Sequence, residues 1–161
     1  MKKRALLTHL IFSVAATTLA NAADTPASSQ TSLAITDEML GARHPPAKLT
    51  KRSEDPTYGY TSERPVVVGG GFAGGKAATY SYLNALTGPE GQKVHYKRLG
   101  TCCSFETPNS PFGDTALLEF FEISYEGLAE PRKLYFNWYD AADPQIPVGL
   151  DTVPPEKAEQ E

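Results

Sequence analysis

The connection from Glu126 to Pro131 limits the fold of this chain more than any other stretch. It joins two segments with strand character, Ala116 to Tyr125 and Leu134 to Tyr139, in about six residues, and a parallel crossover needs a dozen or more. The two segments must therefore pair as an antiparallel hairpin. In the first, Leu117, Phe121, Ile123 and Tyr125 share a face interrupted only by Glu119, and Leu118 and Phe120 share the other. In the second, Leu134, Phe136 and Trp138 oppose Tyr135, Asn137 and Tyr139. Apolar groups on both faces predict a helix on one side and a loop or a partner on the other.

Upstream, Pro65-Val66-Val67-Val68 is a β-branched run that predicts a short strand, closed by Gly69, Gly70 and Gly71. Lys76 to Leu86 predicts a helix, with Thr79, Tyr82, Leu83 and Leu86 at helical spacing. Gly88-Pro89 is its expected stop. Gln92 to Leu99 alternates, with Val94, Tyr96 and Arg98 facing one way and His95, Lys97 and Leu99 the other. The fold class predicted is α+β: one helix on a mainly antiparallel sheet of about four strands.

The ends read differently. Lys2, Lys3 and Arg4, an apolar run from Ala5 to Leu19, and Ala20-Asn21-Ala22 predict a secretory signal peptide over residues 1–22. No cysteine lies near that cut, so no lipid anchor is expected. Residues 23–56 are rich in Ala, Ser, Thr, Pro and charge and predict a flexible leader, although Ile35, Met39 and Leu40 can line one face of a short helix. Residues 151–161 predict a disordered tail, leaving 57–150 as a single domain. The formal net charge of −4 grows more negative once the basic signal residues are gone, which argues against nucleic acid or anionic lipid as a partner. The expected location is periplasmic or secreted.

Two glycine motifs invite a nucleotide-binding reading. Gly69, Gly71 and Gly74 form G-x-G-x-x-G between a strand and a helix, but hairpin-linked strands follow where further β-α-β crossovers would be needed. Gly70 and Gly75-Lys76 approach a phosphate-binding loop, but Ala77 stands where a magnesium-binding hydroxyl belongs. No cofactor is expected. With His9 in the signal and His44 in the leader, His95 alone cannot build a multi-histidine metal site. Arrangements of Cys102 or Cys103 with His95 and Glu106 are conceivable, but sequence proximity is weak support for catalytic geometry.

The two cysteines are adjacent, within Arg98-Leu99-Gly100-Thr101-Cys102-Cys103. On a straight strand their side chains point to opposite faces, so a bond between them needs a turn-like backbone. Gly100 before the pair and Thr107-Pro108-Asn109 after it are candidates to supply that turn. Three outcomes stay open: a vicinal disulfide, two buried thiols, or an intermolecular bridge or metal site. Cys102, Cys103, Arg98 and His95 are the candidate functional residues.

Tyr58-Gly59-Tyr60-Thr61, the Val-Gly-Gly segment, Tyr82-Leu83-Asn84-Ala85-Leu86 with Gly88-Pro89, and the Arg-Leu-Gly-Thr-Cys-Cys stretch together resemble a family of small bacterial envelope proteins. Tyr125-Glu126-Gly127-Leu128, Leu134 to Asp140 and Pro147-Val148-Gly149 fit the same pattern, so the resemblance covers about Tyr58 to Leu150. It implies an envelope protein and carries no established activity with it. Some members bear the name 2-dehydro-3-deoxyphosphooctonate aldolase, an enzyme built as a barrel of about 250 residues, which a domain of about 95 cannot form. The expected function is therefore non-enzymatic binding of another envelope protein or an envelope component. The alternative is a small thiol-dependent redox or metal-handling protein using the cysteine pair.

Overall fold

A computed structural model describes residues 35–154. The expected signal peptide, the first part of the expected leader and the last seven residues lie outside them. The elements, in order, are α1 (Asp37–Gly41), β1 (Val66–Val67), α2 (Gly71–Ala85), β2 (Leu86–Thr87), β3 (His95–Glu106), β4 (Thr115–Ser124), β5 (Arg132–Asn137) and β6 (Asp151–Thr152). A four-stranded sheet has the order β1-β5-β4-β3, and β2 pairs with β6 in a second, small sheet. The fold is α+β with a mainly antiparallel sheet, as the sequence predicts.

The β4–β5 hairpin forms as its short connection requires, with Phe121 opposite Leu134 and Glu119 opposite Phe136. Strand β1 is the exception, pairing parallel to β5 with Val66 opposite Phe136. Helix α2 covers one face of the sheet. Tyr80 meets the Phe121 ring edge-on at 6.0 Å, Tyr82 meets Phe136 at 5.7 Å, and Phe121 meets Phe136 at 5.6 Å. All four side chains are buried and form the centre of the core. On the opposite face Phe120 and Tyr135 stack at 5.7 Å with Lys133 over the Phe120 ring, while Leu118 beside them is buried.

Helix α2 starts earlier and ends earlier than its spacing predicts. Its start is set by Gly70, whose φ of +92° and missing Cβ let the chain turn where any side chain would meet the Gly74 and Gly75 backbone at 2.7 Å. Its end is set by sheet pairing rather than by Gly88, because Leu86 is already extended and opposite Thr152 in the β2–β6 pair.

The folded unit also extends beyond 57–150. Leu49 is buried in the core, Arg52 bridges Ile146, and Ala47 N–H donates to the Ser81 carbonyl at 2.8 Å. These contacts make residues 35–56 part of the packed domain rather than a flexible leader. At the other end, Thr152 Oγ1 and Val153 N–H both donate to the Ala85 carbonyl, tying the first residues of the expected tail to α2. Helix α1 does form where Ile35, Met39 and Leu40 predict one, capped by Thr36. Those three side chains, however, face outward, at 70%, 56% and 38% exposure. The helix is held by polar contacts and by close approach at Gly41.

Candidate functional site

The four candidate residues all lie on β3, an edge strand, and do not converge. Cys102 is seven positions from His95, or roughly 23 Å along an extended strand, so no cysteine–histidine dyad is assembled. His95 Nδ1 lies 2.8 Å from Glu38 Oε1 on α1. Arg98 turns toward the core, as the alternation predicts, and its Nε donates to Glu119 Oε1.

Cys102 and Cys103 are bonded to each other. A first bulge leaves Leu99 extra just before Gly100, whose φ is +141°, but the turn that joins the two sulfurs is neither there nor after Glu106. It lies within the strand, at a second bulge. Cys102 pairs with Leu118 and Ser104 with Leu117, which leaves Cys103 as the extra residue. Its φ of +58° is left-handed, and it is the one non-glycine with positive φ among the described residues. That geometry releases Cys103 from strict alternation and lets its sulfur meet that of its neighbour. Cys103 is exposed, while Cys102 is half-buried.

Beyond the bulge, the β3–β4 loop is anchored by Asp140. Its Oδ1 accepts from Thr107 Oγ1 at 2.5 Å and Asn109 Nδ2 at 2.8 Å, and its Oδ2 accepts from Asn137 Nδ2 at 2.8 Å. Burial pushes this carboxyl up, but the three hydrogen bonds outweigh it and hold the group below the usual carboxylate range. The loop delivers Phe112 edge-on to Phe72 at 5.6 Å, leaving both rings exposed.

Sequence reasoning missed Glu119. Its side chain is fully buried, that of Arg98 is 34% exposed, and Glu119 Oε2 has no hydrogen-bond partner among the described residues. Trp138 Nε1 is likewise buried without a partner. The available signal was a lone carboxylate interrupting the apolar face of the best-patterned strand.

Sequence reasoning also missed a groove of about 620 Å³ between residues 42–46, the C-terminal end of α2 and the start of β3. Leu83, Leu86, Val94 and Val153 supply its apolar lining. Its outer wall is held by Asn84, whose Nδ2 donates to the carbonyls of Gly41 at 2.9 Å and His44 at 2.8 Å. Asn84 Oδ1 in turn accepts from the Tyr96 hydroxyl at 2.8 Å. Asp37 adds two contacts, accepting from the Arg98 N–H at 2.8 Å and the Tyr80 hydroxyl at 3.3 Å. Burial first, and then the carboxylates of α1, push the Tyr80 and Tyr96 hydroxyls up to about 12. Lys93 and Glu38 face each other on the rim at 3.9 Å, and Arg43 has no acidic partner among the described residues.

Among the described residues, no group of three or more His, Cys, Asp and Glu side chains is placed to hold a metal ion. No described helix is long and apolar enough to cross a membrane. Comparison with known proteins finds no matching family model, no matching curated protein and no matching solved structure.

Proposed function

We propose that this chain is an exported, non-enzymatic envelope protein that binds an envelope component with an apolar body and an acidic group. The groove carries this reading. Its volume falls in the usual range of about 300–1,000 Å³ for ligand sites, and its lining sets apolar side chains beside polar ones that include Arg43, His44 and Lys93. Leu83, Leu86, Val94 and Val153 suit an acyl or other hydrocarbon surface. Arg43, without a carboxylate partner among the described residues, suits the acidic end. The wall hydrogen bonds of Asn84 are internal, so they shape the groove rather than wait for a ligand.

The test is a fluorescence titration with 8-anilinonaphthalene-1-sulfonate, an apolar ring system bearing one anionic group, followed by displacement with a saturated fatty acid. The folded protein is expected to bind the probe, release it to the fatty acid, and lose affinity about three- to tenfold as Arg43→Ala, the range for one exposed charge contact. Probe binding that ignores the fatty acid and the substitution would discard the reading. Export is tested separately by the intact mass of periplasmic material, which should begin at Ala23.

A second reading is favoured by the bond between Cys102 and Cys103 at an accessible edge: a protein whose role is thiol–disulfide exchange. A disulfide that no dithiol reduces in the folded protein would remove it.

A further inference from the structure

We infer that Cys103 is the sulfur through which this disulfide exchanges with an external dithiol, with Cys102 as the leaving sulfur. This rests on the second, thiol-based reading and assigns the two sulfurs unequal roles within it.

Thiol–disulfide exchange depends on which sulfur the incoming thiolate can reach. Here the two positions differ in kind. Cys102 is in register on β3, half-buried and directly opposite the buried Leu118. Directly opposed residues hold their Cβ atoms only about 4.5–5.5 Å apart, so the Leu118 side chain screens that sulfur. Cys103 is the unpaired residue of the bulge and is exposed. It also lies on an edge strand, because among the described residues β3 has β4 on one side and no strand on the other. Helix α1 meets the start of that edge, where Glu38 Oε1 lies 2.8 Å from His95 Nδ1 and Asp37 accepts from the Arg98 N–H.

One thiolate of the external dithiol attacks Cys103 Sγ and forms an intermolecular S–S bond as the Cys102–Cys103 bond breaks. The electron pair leaves on Cys102 Sγ, which takes a proton from water. The reductant's second thiolate then attacks its own sulfur in the mixed disulfide, and Cys103 leaves as a thiolate that is protonated in turn. The protein gains two electrons and two protons, and the dithiol becomes a disulfide. Opening the ring also frees Cys103 from its left-handed backbone, a conformation that a residue with a side chain rarely keeps without constraint.

The experiment uses the full chain with glutathione, a monothiol, and adds excess iodoacetamide within seconds to cap the freed cysteine before it can reclose the disulfide or shift the adduct. Peptide fragmentation between the two cysteines should find the adduct on Cys103. In the folded state, Cys102→Ser, which keeps the thiol of Cys103, should react with iodoacetamide at least about tenfold faster than Cys103→Ser, the difference access alone can make. In urea the two variants should react alike, which separates access from intrinsic reactivity. An adduct on Cys102, or equal rates in the folded state, overturns the inference while leaving a reducible disulfide in place. Two titratable thiols in protein never exposed to reductant overturn the thiol reading itself.

Discussion

The Glu119 carboxylate is fully buried and takes its hydrogen bond from Arg98 Nε, while its second oxygen has no partner among the described residues. A buried charge held from one side depends on that partner. Arg98→Met should destabilise the protein by about 3 kcal/mol, the lower end of the range for orphaning a buried charge, because Arg98 is partly exposed. Replacing both, as Arg98→Met with Glu119→Leu, should recover most of the loss. Urea denaturation of the two variants checks the pair, and equal losses would remove the interaction from the account.

Two neighbouring helix glycines should respond in opposite directions. A Cβ at Gly74 meets nothing within 4 Å, so Gly74→Ala should stabilise by about 0.5–1 kcal/mol through backbone entropy. A Cβ at Gly75 would lie 2.4 Å from Trp138 Cβ, an atom fixed to its own backbone. Gly75→Ala gains the same entropy but must push α2 off the sheet, at about 1–3 kcal/mol for overpacking, so it should be a net loss. Thermal melts of the two variants side by side decide it.

The fold should lose stability at both pH extremes, for different reasons. Asp55 accepts from Thr57 Oγ1 at 2.6 Å, the Thr57 N–H at 2.8 Å and Arg64 Nε at 2.8 Å, which lowers it from 3.8 to about 2. Its contribution is present above the ordinary value and disappears as pH falls toward 2, so Asp55→Asn should flatten the acid limb. Tyr80 and Tyr96 are raised to about 12, so the unfolded chain releases those protons first. Their contribution is intact below 10.0 and fades as pH rises toward 12. Phenolate absorbance should show a late-titrating group, in which burial also places Tyr58, Tyr60 and Tyr82 beside Tyr80 and Tyr96, and Tyr96→Phe should remove one member of it.

Asn84 joins α2, β3 and the segment that walls the groove. Asn84→Ala leaves the Gly41 and His44 carbonyls without their donor and should cost about 1–3 kcal/mol. The loss should be local, so limited proteolysis is expected to cut first within residues 37–46. Cleavage elsewhere first would mean that α1 is held by other contacts.

The central hairpin and the helix over it were legible because their signals are local: alternation, a short connection and a glycine-rich entry. The parallel docking of β1 was not, since nothing near Val66 announces Phe136. The ordered segment before Pro56 was not legible either. Its composition is that of a tail, and its order comes from distant donors such as Asn84 and from Leu49 reaching the core. The disulfide was one of three open outcomes, because a bulge that turns Cys103 left-handed leaves no mark in the sequence around it. The groove was invisible for the same reason as the segment that walls it.

The parallel pair β1–β5 has a consequence for the order of assembly. Val66 waits for Phe136, about 70 positions away, and closing that loop costs about 2 kcal/mol more entropy than closing the short β4–β5 connection. The meander of β3, β4 and β5 is therefore the natural nucleus, with β1 and the residues that precede it docking afterwards. Val66→Ala should leave the folding rate nearly unchanged and speed unfolding, whereas Phe121→Leu should slow folding. During synthesis the first strand leaves the ribosome long before its partner exists, and the groove takes shape only once Val153 has been made.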